Sequence, residues 1–138
     1  MKITKFINIL INTAYKSNLK FKHSAIIISG GKCVSVANNS DRTYIDGKIY
    51  GGLHAEHAVI RKCKKQLRGA TLIVIRLSKT GLLSESMPCV QCKKIISDCG
   101  IKKIYYSNNN GFIKTKINNV GTHYSNSYRR MQELNILI

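Results

Sequence analysis

Residues 54–92 read HAEHAVIRKCKKQLRGATLIVIRLSKTGLLSESMPCVQC, and this stretch decides the fold. Its middle, residues 71–77, is a short apolar run rich in β-branched side chains, which predicts a buried strand. Before it, Ala55, Ala58, Val59 and Cys63 fall on one side of a helix, predicted over 54–67. After it comes a loop over 79–87. Pro88 then stands where a helix can begin, because the N–H it lacks has no partner in a first turn. That helix is expected to run to about Cys99, with Gly100 as its stop. The order helix, strand, helix brings the two helix starts side by side on one face of a sheet.

Working outward, residues 24–29 and 33–37 are apolar runs separated by Gly30-Gly31 and predict a β-hairpin. Ile3, Phe6, Ile7, Leu10, Ile11 and Ala14 have helical spacing over 3–15. Residues 38–53 are polar and glycine-containing and are expected to form a loop. Residues 103–107 and 112–117 predict two more strands around the turn Asn108–Gly111. A connection that short forces an antiparallel hairpin, since a parallel pair needs a crossover of a dozen or more residues. Residues 124–134 predict a closing helix. The expected fold is α/β: a three-layer α-β-α sandwich on a mixed five-stranded sheet, the last two strands an antiparallel hairpin. Residues 1–138 are read as a single domain.

Two motifs carry chemistry: His54-Ala55-Glu56 and Pro88-Cys89-Val90-Gln91-Cys92, with 31 residues between Glu56 and Pro88. Zinc favours four tetrahedral ligands drawn from imidazole nitrogen and thiolate sulfur. His54, Cys89 and Cys92 would supply three and leave one position open, as catalytic zinc sites do. A helix start favours the thiolate form that zinc requires. Glu56 is better placed as a proton carrier beside the metal than as a fourth ligand. A redox role for the Cys-x-x-Cys pair has no thioredoxin-like unit around it.

H-A-E followed by P-C-x-x-C resembles the zinc-dependent cytidine and deoxycytidylate deaminase superfamily over roughly residues 22–117. The resemblance implies Zn²⁺ on His54, Cys89 and Cys92, with Glu56 as general acid/base. It also implies substrate contacts from Asn39, at the end of the second strand, and from Ala55. The implied reaction is hydrolytic removal of the amino group of a cytosine-containing nucleoside or nucleotide, giving the uracil product and ammonia. The same resemblance implies a homo-oligomer.

The charge bears on the substrate. The chain has 23 Lys+Arg against 6 Asp+Glu, a net charge of +17. Such a surface attracts polyanions, so deamination of RNA or single-stranded DNA is the alternative activity. A basic nucleic-acid-binding protein that retains the zinc fold without activity is a third reading. Lysine-rich coding is the competing explanation, since 20 Ile, 17 Lys and 12 Asn all use A/T-rich codons. Tyr44 and Tyr50, flanked by Arg42 and Lys48, are candidate stacking residues. The Cys33, Cys63 and Cys99 thiols are expected in the core. Five cysteines are an odd count, which argues for a reducing compartment. Asn8 and Asn12 interrupt the N-terminal apolar stretch, against a secretion signal. An intracellular, cytoplasmic protein with no membrane partner is therefore expected.

Overall fold

The structure is a computed structural model that describes residues 3–40, 43–45, 48–50, 54–63 and 67–120, the backbone alone for 43–45 and 48–50. In chain order the elements are α1 (Thr4–Tyr15), β1 (Lys22–Ser29), β2 (Lys32–Asn38), β3 (Thr43–Ile45), β4 (Lys48–Tyr50) and α2 (Ala55–Lys62). They continue with β5 (Thr71–Leu77), β6 (Leu83–Ser84), α3 (Val90–Asp98), β7 (Lys103–Asn108), β8 (Gly111–Lys116) and a 3₁₀ turn (Ile117–Asn119).

The main sheet runs β2-β1-β5-β7-β8, with β6 added against the end of β5. β1 is antiparallel to both β2 and β5. The single parallel pair, β5 with β7, is bridged by α3, whereas β7 turns directly into antiparallel β8. Asn108 Oδ1 accepts the Asn110 N–H at 2.8 Å to close that turn. The α3 crossover ends at Gly100, whose φ of +83° suits glycine. A Cβ there would also approach the Arg68 backbone to 3.2 Å.

Strand alternation divides the core. Ala25, Ile27, Leu72, Val74, Ile104 and Tyr106 face α2 and α3, meeting Ala55, Val59 and Ile96. Ile26, Ile28, Ile73, Ile75, Leu77 and Tyr105 face α1, meeting Phe6, Leu10 and Ala14. Both sheet faces are covered, which explains the unbroken apolar runs in β1 and β5. It also buries both Tyr105 and Tyr106.

Four boundaries differ from the sequence reading. The expected loop over 38–53 contains the antiparallel β3–β4 hairpin. Its signal is the Asp46-Gly47 dipeptide between two β-prone triplets. Helix α2 stops at Lys62, with Cys63 extended (φ −83°, ψ 123°). There Ser35 Oγ of β2 donates to the Val59 carbonyl at 2.9 Å, tying the helix end to the strand. The expected loop over 79–87 contributes the two-residue strand β6, so the sheet has six strands. Helix α3 starts at Val90 rather than Pro88, because Cys89 is its extended cap (φ −76°, ψ 174°). The expected helix over 124–134 and the side chains of Arg42, Tyr44, Lys48 and Tyr50 lie outside the described residues.

Candidate metal centre

β2, β5 and β7 all end at one edge of the sheet. There α2 and α3 begin, on the same face. His54 caps α2 in an extended conformation, so its imidazole reaches past the helix start. Cys89 caps α3 in the same way, and Cys92 sits in the first turn. The ligand atoms of the three residues lie within 4.8 Å of one another. His54 Nδ1 is 3.2 Å from Cys92 Sγ and 3.7 Å from Cys89 Sγ. Zinc bond lengths in a tetrahedron place nitrogen and sulfur about 3.6 Å apart. The chemistry and the spacing of this donor set therefore fit zinc.

The protons of the cluster are shared. A hydrogen bond from the Cys92 thiol, then one from His54, brings the Cys89 thiol down to about 3. Cys92, as the donor to Cys89, is pushed well up and keeps its proton. The bond to Cys89 raises His54 against the effect of burial. A divalent cation would displace these protons and take the sulfurs as thiolates.

Glu56 lies in the first turn of α2 and is only 5% exposed. Burial raises its pKa, opposed by the charge of His54 and by its own backbone N–H. The Cys92 side chain also lowers it, and Glu56 in turn raises Cys92, so the carboxyl group acts on the donor cluster. Ala55 is fully buried against the α2–α3 core. Asn39 is buried too, and its carboxamide fixes the entry to β1. Its Oδ1 accepts the His23 N–H at 2.9 Å and its Nδ2 donates to the Phe21 carbonyl at 2.7 Å. Asn38 turns the other way and donates to the Thr13 carbonyl of α1 at 3.1 Å.

Two residues at this edge left no signal in the sequence. Ser86 and Ser107 are buried and brace the loop before Cys89. Ser107 N–H donates to Ser86 Oγ at 2.7 Å, and Ser86 Oγ donates to the Val74 carbonyl at 3.0 Å. Ser107 Oγ donates to the Ser84 carbonyl at 2.8 Å. Together they join the loop to β5 and β7. The remaining thiols lie apart from the centre. Cys63 and Cys99 pack partly buried against the α2–α3 core. Cys33, expected in the core, is exposed, because it lies beside the Gly30-Gly31 turn at the far edge of the sheet.

The sequence matches the family described as "Cytidine and deoxycytidylate deaminase zinc-binding region" over residues 1–108. The chain belongs to this zinc-binding cytidine and deoxycytidylate deaminase family. This deaminase is accordingly a zinc-dependent hydrolase. Among solved structures it is similar to the dCMP deaminase of the cyanophage S-TIM5 in complex with dCMP and dUMP. That match has a TM-score of 0.52 and 22% identity, covering 77% of this chain and 82% of the other. The apo form of that protein matches with a TM-score of 0.52 and 19% identity, over 97% and 94%. A diaminohydroxyphosphoribosylaminopyrimidine deaminase/5-amino-6-(5-phosphoribosylamino)uracil reductase from Thermotoga maritima matches with a TM-score of 0.51 and 24% identity. It is covered over 28% of its length by 74% of this deaminase. These likenesses establish the fold. No curated protein matches the sequence. No helix among the described residues is long and apolar enough to cross a membrane.

Proposed function

We propose that this deaminase converts the cytosine of a nucleoside or nucleotide to uracil with release of ammonia. The observation that carries the reading is Glu56, buried in the first turn of α2 two residues from His54 of the His54–Cys89–Cys92 donor set. The cyanophage dCMP deaminase, whose structure holds dCMP and dUMP, supports the substrate class.

His54, Cys89 and Cys92 would hold the zinc, which when bound supplies a Lewis acid that brings the pKa of a water from 15.7 to about 7. Glu56 carries the protons. Its carboxylate takes one from the attacking water and delivers it to ring N3, and a second passes to the departing amino nitrogen. Burial raises its pKa above the ordinary carboxylate value, which suits a group that must both accept and donate. The main-chain N–H of Ala55, at a helix start, has no intrahelical acceptor, and in this reading it orients the base. Asn39 holds Phe21 and His23 in place and offers its remaining carboxamide hydrogen to the substrate. Residues 1–138 act in this reading as one intracellular, cytoplasmic domain that assembles into a homo-oligomer, a state that sedimentation velocity checks.

Zinc-loaded protein should release ammonia from at least one of cytidine, deoxycytidine, CMP and dCMP. Release from none overturns the proposal. A second reading, deamination of RNA or single-stranded DNA, rests on the lysine edge of the sheet. Lys103 lies directly opposite Lys116 across the β7–β8 pair, a like-charge pairing that an anionic strand would relieve. Sequencing of treated oligonucleotides would show converted bases, and unchanged reads exclude it.

A further inference from the structure

Lys103 of β7 stands directly opposite Lys116 of β8, and Lys114 stands opposite Tyr105. Directly opposed residues of antiparallel strands share a face, and so do residues two apart on one strand. The three lysines therefore lie on one face of the β7–β8 ribbon. It is the α1 face of the sheet, because Tyr105 packs into that core. The Lys114 ammonium sits 5.9 Å from the centre of the Tyr105 ring. α1 itself lies over β1, β2 and β5. The three lysines of the neighbouring ribbon are exposed, as is Lys102. The turn after β8 is tied back to the same place, where the Ile117 N–H donates to the Lys102 carbonyl at 2.8 Å.

No acid offsets these charges along the chain, since neither Asp nor Glu occurs between Asp98 and Glu133. Like charges directly opposed cost a sheet stability. Lysine on an edge strand deters stray strand pairing, which accounts for Lys114 and Lys116 of β8. It does not account for Lys103, because β7 is an inner strand between β5 and β8. A linear polyanion does. Lys114 and Lys116 are about 7 Å apart along the strand, and Lys116 is about 5 Å from Lys103 across it. That is the scale on which successive phosphates of a nucleic-acid backbone recur. Tyr105 is buried and lies against Lys114, so it offers no open ring for base stacking. Contacts to the backbone remain, and they carry no sequence information.

The lysine face is remote from the metal centre. Lys103 begins β7, whose far end reaches the centre about 17 Å along the strand. It also looks toward the α1 side, whereas the donor set lies on the α2–α3 side. We propose that this face docks the phosphodiester backbone of a nucleic-acid strand, as a partner rather than as the chain the protein deaminates. The proposal goes beyond the deaminase reading and does not depend on it.

The test is an anisotropy titration of zinc-loaded protein with labelled oligothymidylate, whose bases carry no amino group to remove. Each phosphate contact contributes about 0.7 to the slope of log K against log salt concentration for a single strand. Lys103→Gln/Lys116→Gln should therefore lower that slope by about 1.4, and the affinity at about 50 mM salt on the order of 50-fold. An unchanged slope and affinity overturn the proposal. So does an equal loss in Lys16→Gln/Lys20→Gln, which removes the same charge from exposed positions after α1, since binding would then follow net charge alone. Lys116→Glu sets an opposite charge against Lys103, so it should weaken binding more than Lys116→Gln while its thermal midpoint stays at or above that of wild type. Lowered midpoints accompanying the lost binding in every variant would make the lysines structural and overturn the claim. Equal affinity for polyglutamate, or capture by vesicles of phosphatidylserine and phosphatidylcholine without binding of oligothymidylate, would assign the face to another partner and overturn it. A cytosine oligonucleotide bound at this face should be recovered with its bases unchanged. Conversion that disappears in Lys103→Gln/Lys116→Gln would make the strand a substrate and overturn the partner role.

Discussion

Acid should destabilise this protein through His23. The imidazole sits on β1 opposite Arg76, and its pKa is lowered from 6.5 to about 4, first by burial, then by the charges of Arg76 and His54. In the unfolded chain the same group titrates near 6.5. Between those values the unfolded state binds the extra proton. Stability from a neutral His23 is therefore complete above pH 6.5 and is lost as the pH falls toward 4. The full loss is about 3 kcal/mol, of which about 2 kcal/mol is gone by pH 5. That is a large part of the stability of a domain this size. The assay is urea unfolding of zinc-loaded wild type and His23→Gln at pH 7 and pH 5. His54, Glu56 and the cysteines titrate in both proteins, so the difference isolates His23. Wild type should lose about 2 kcal/mol more than the variant between the two pH values. Equal losses would refute a buried neutral imidazole at this position.

The other expectations concern the centre and its support. Glu56→Gln keeps the volume but removes the carboxylate proposed to carry protons, so kcat should fall by about 10²- to 10⁴-fold while one zinc stays bound; loss of the metal instead would make Glu56 a ligand. Cys92→Ser should abolish stoichiometric zinc, read by elemental analysis, and lower the thermal midpoint along with it; full zinc content would remove Cys92 from the donor set. Ser107→Ala leaves the Ser84 carbonyl and the Arg76 N–H without their side-chain partner. It should cost about 1–3 kcal/mol in urea unfolding, and an unchanged midpoint would mean that the serine pair does not brace the Cys89 loop.

Much of this was legible in the sequence because local pattern and tertiary structure agree. The run over 71–77 is a strand because both faces of the sheet are covered there, which allows unbroken apolar residues. His54 and Cys89 each precede a helix, and a cap position is what lets a side chain point past the helix start. What was missed depends on contacts between distant segments. The pairing of Ser86 with Ser107 spans 21 residues, and serine in a loop or strand carries no sign of a buried partner. Arg76 looked like an ordinary strand residue until His23 and Ser84 came to its two sides. The exposure of Cys33 follows from its place beside a turn, not from its apolar neighbours. The β3–β4 hairpin was hidden by the polarity of 38–53, although Asp46-Gly47 marks it.

The net charge of +17 takes on a more local meaning at the site. The metal centre combines thiolate-forming cysteines with Glu56 and is not itself basic. Positive charge lies instead on residues such as Arg76 and Lys79, which line a surface cavity beyond the end of β5.

The most direct test is ammonia release from dCMP by protein carrying one zinc per chain, wild type against Glu56→Gln. Turnover by wild type, falling at least about 10²-fold in the variant with zinc retained, is the predicted result. Equal rates in the two proteins, or no release by wild type from dCMP or any related cytosine compound, would contradict the account.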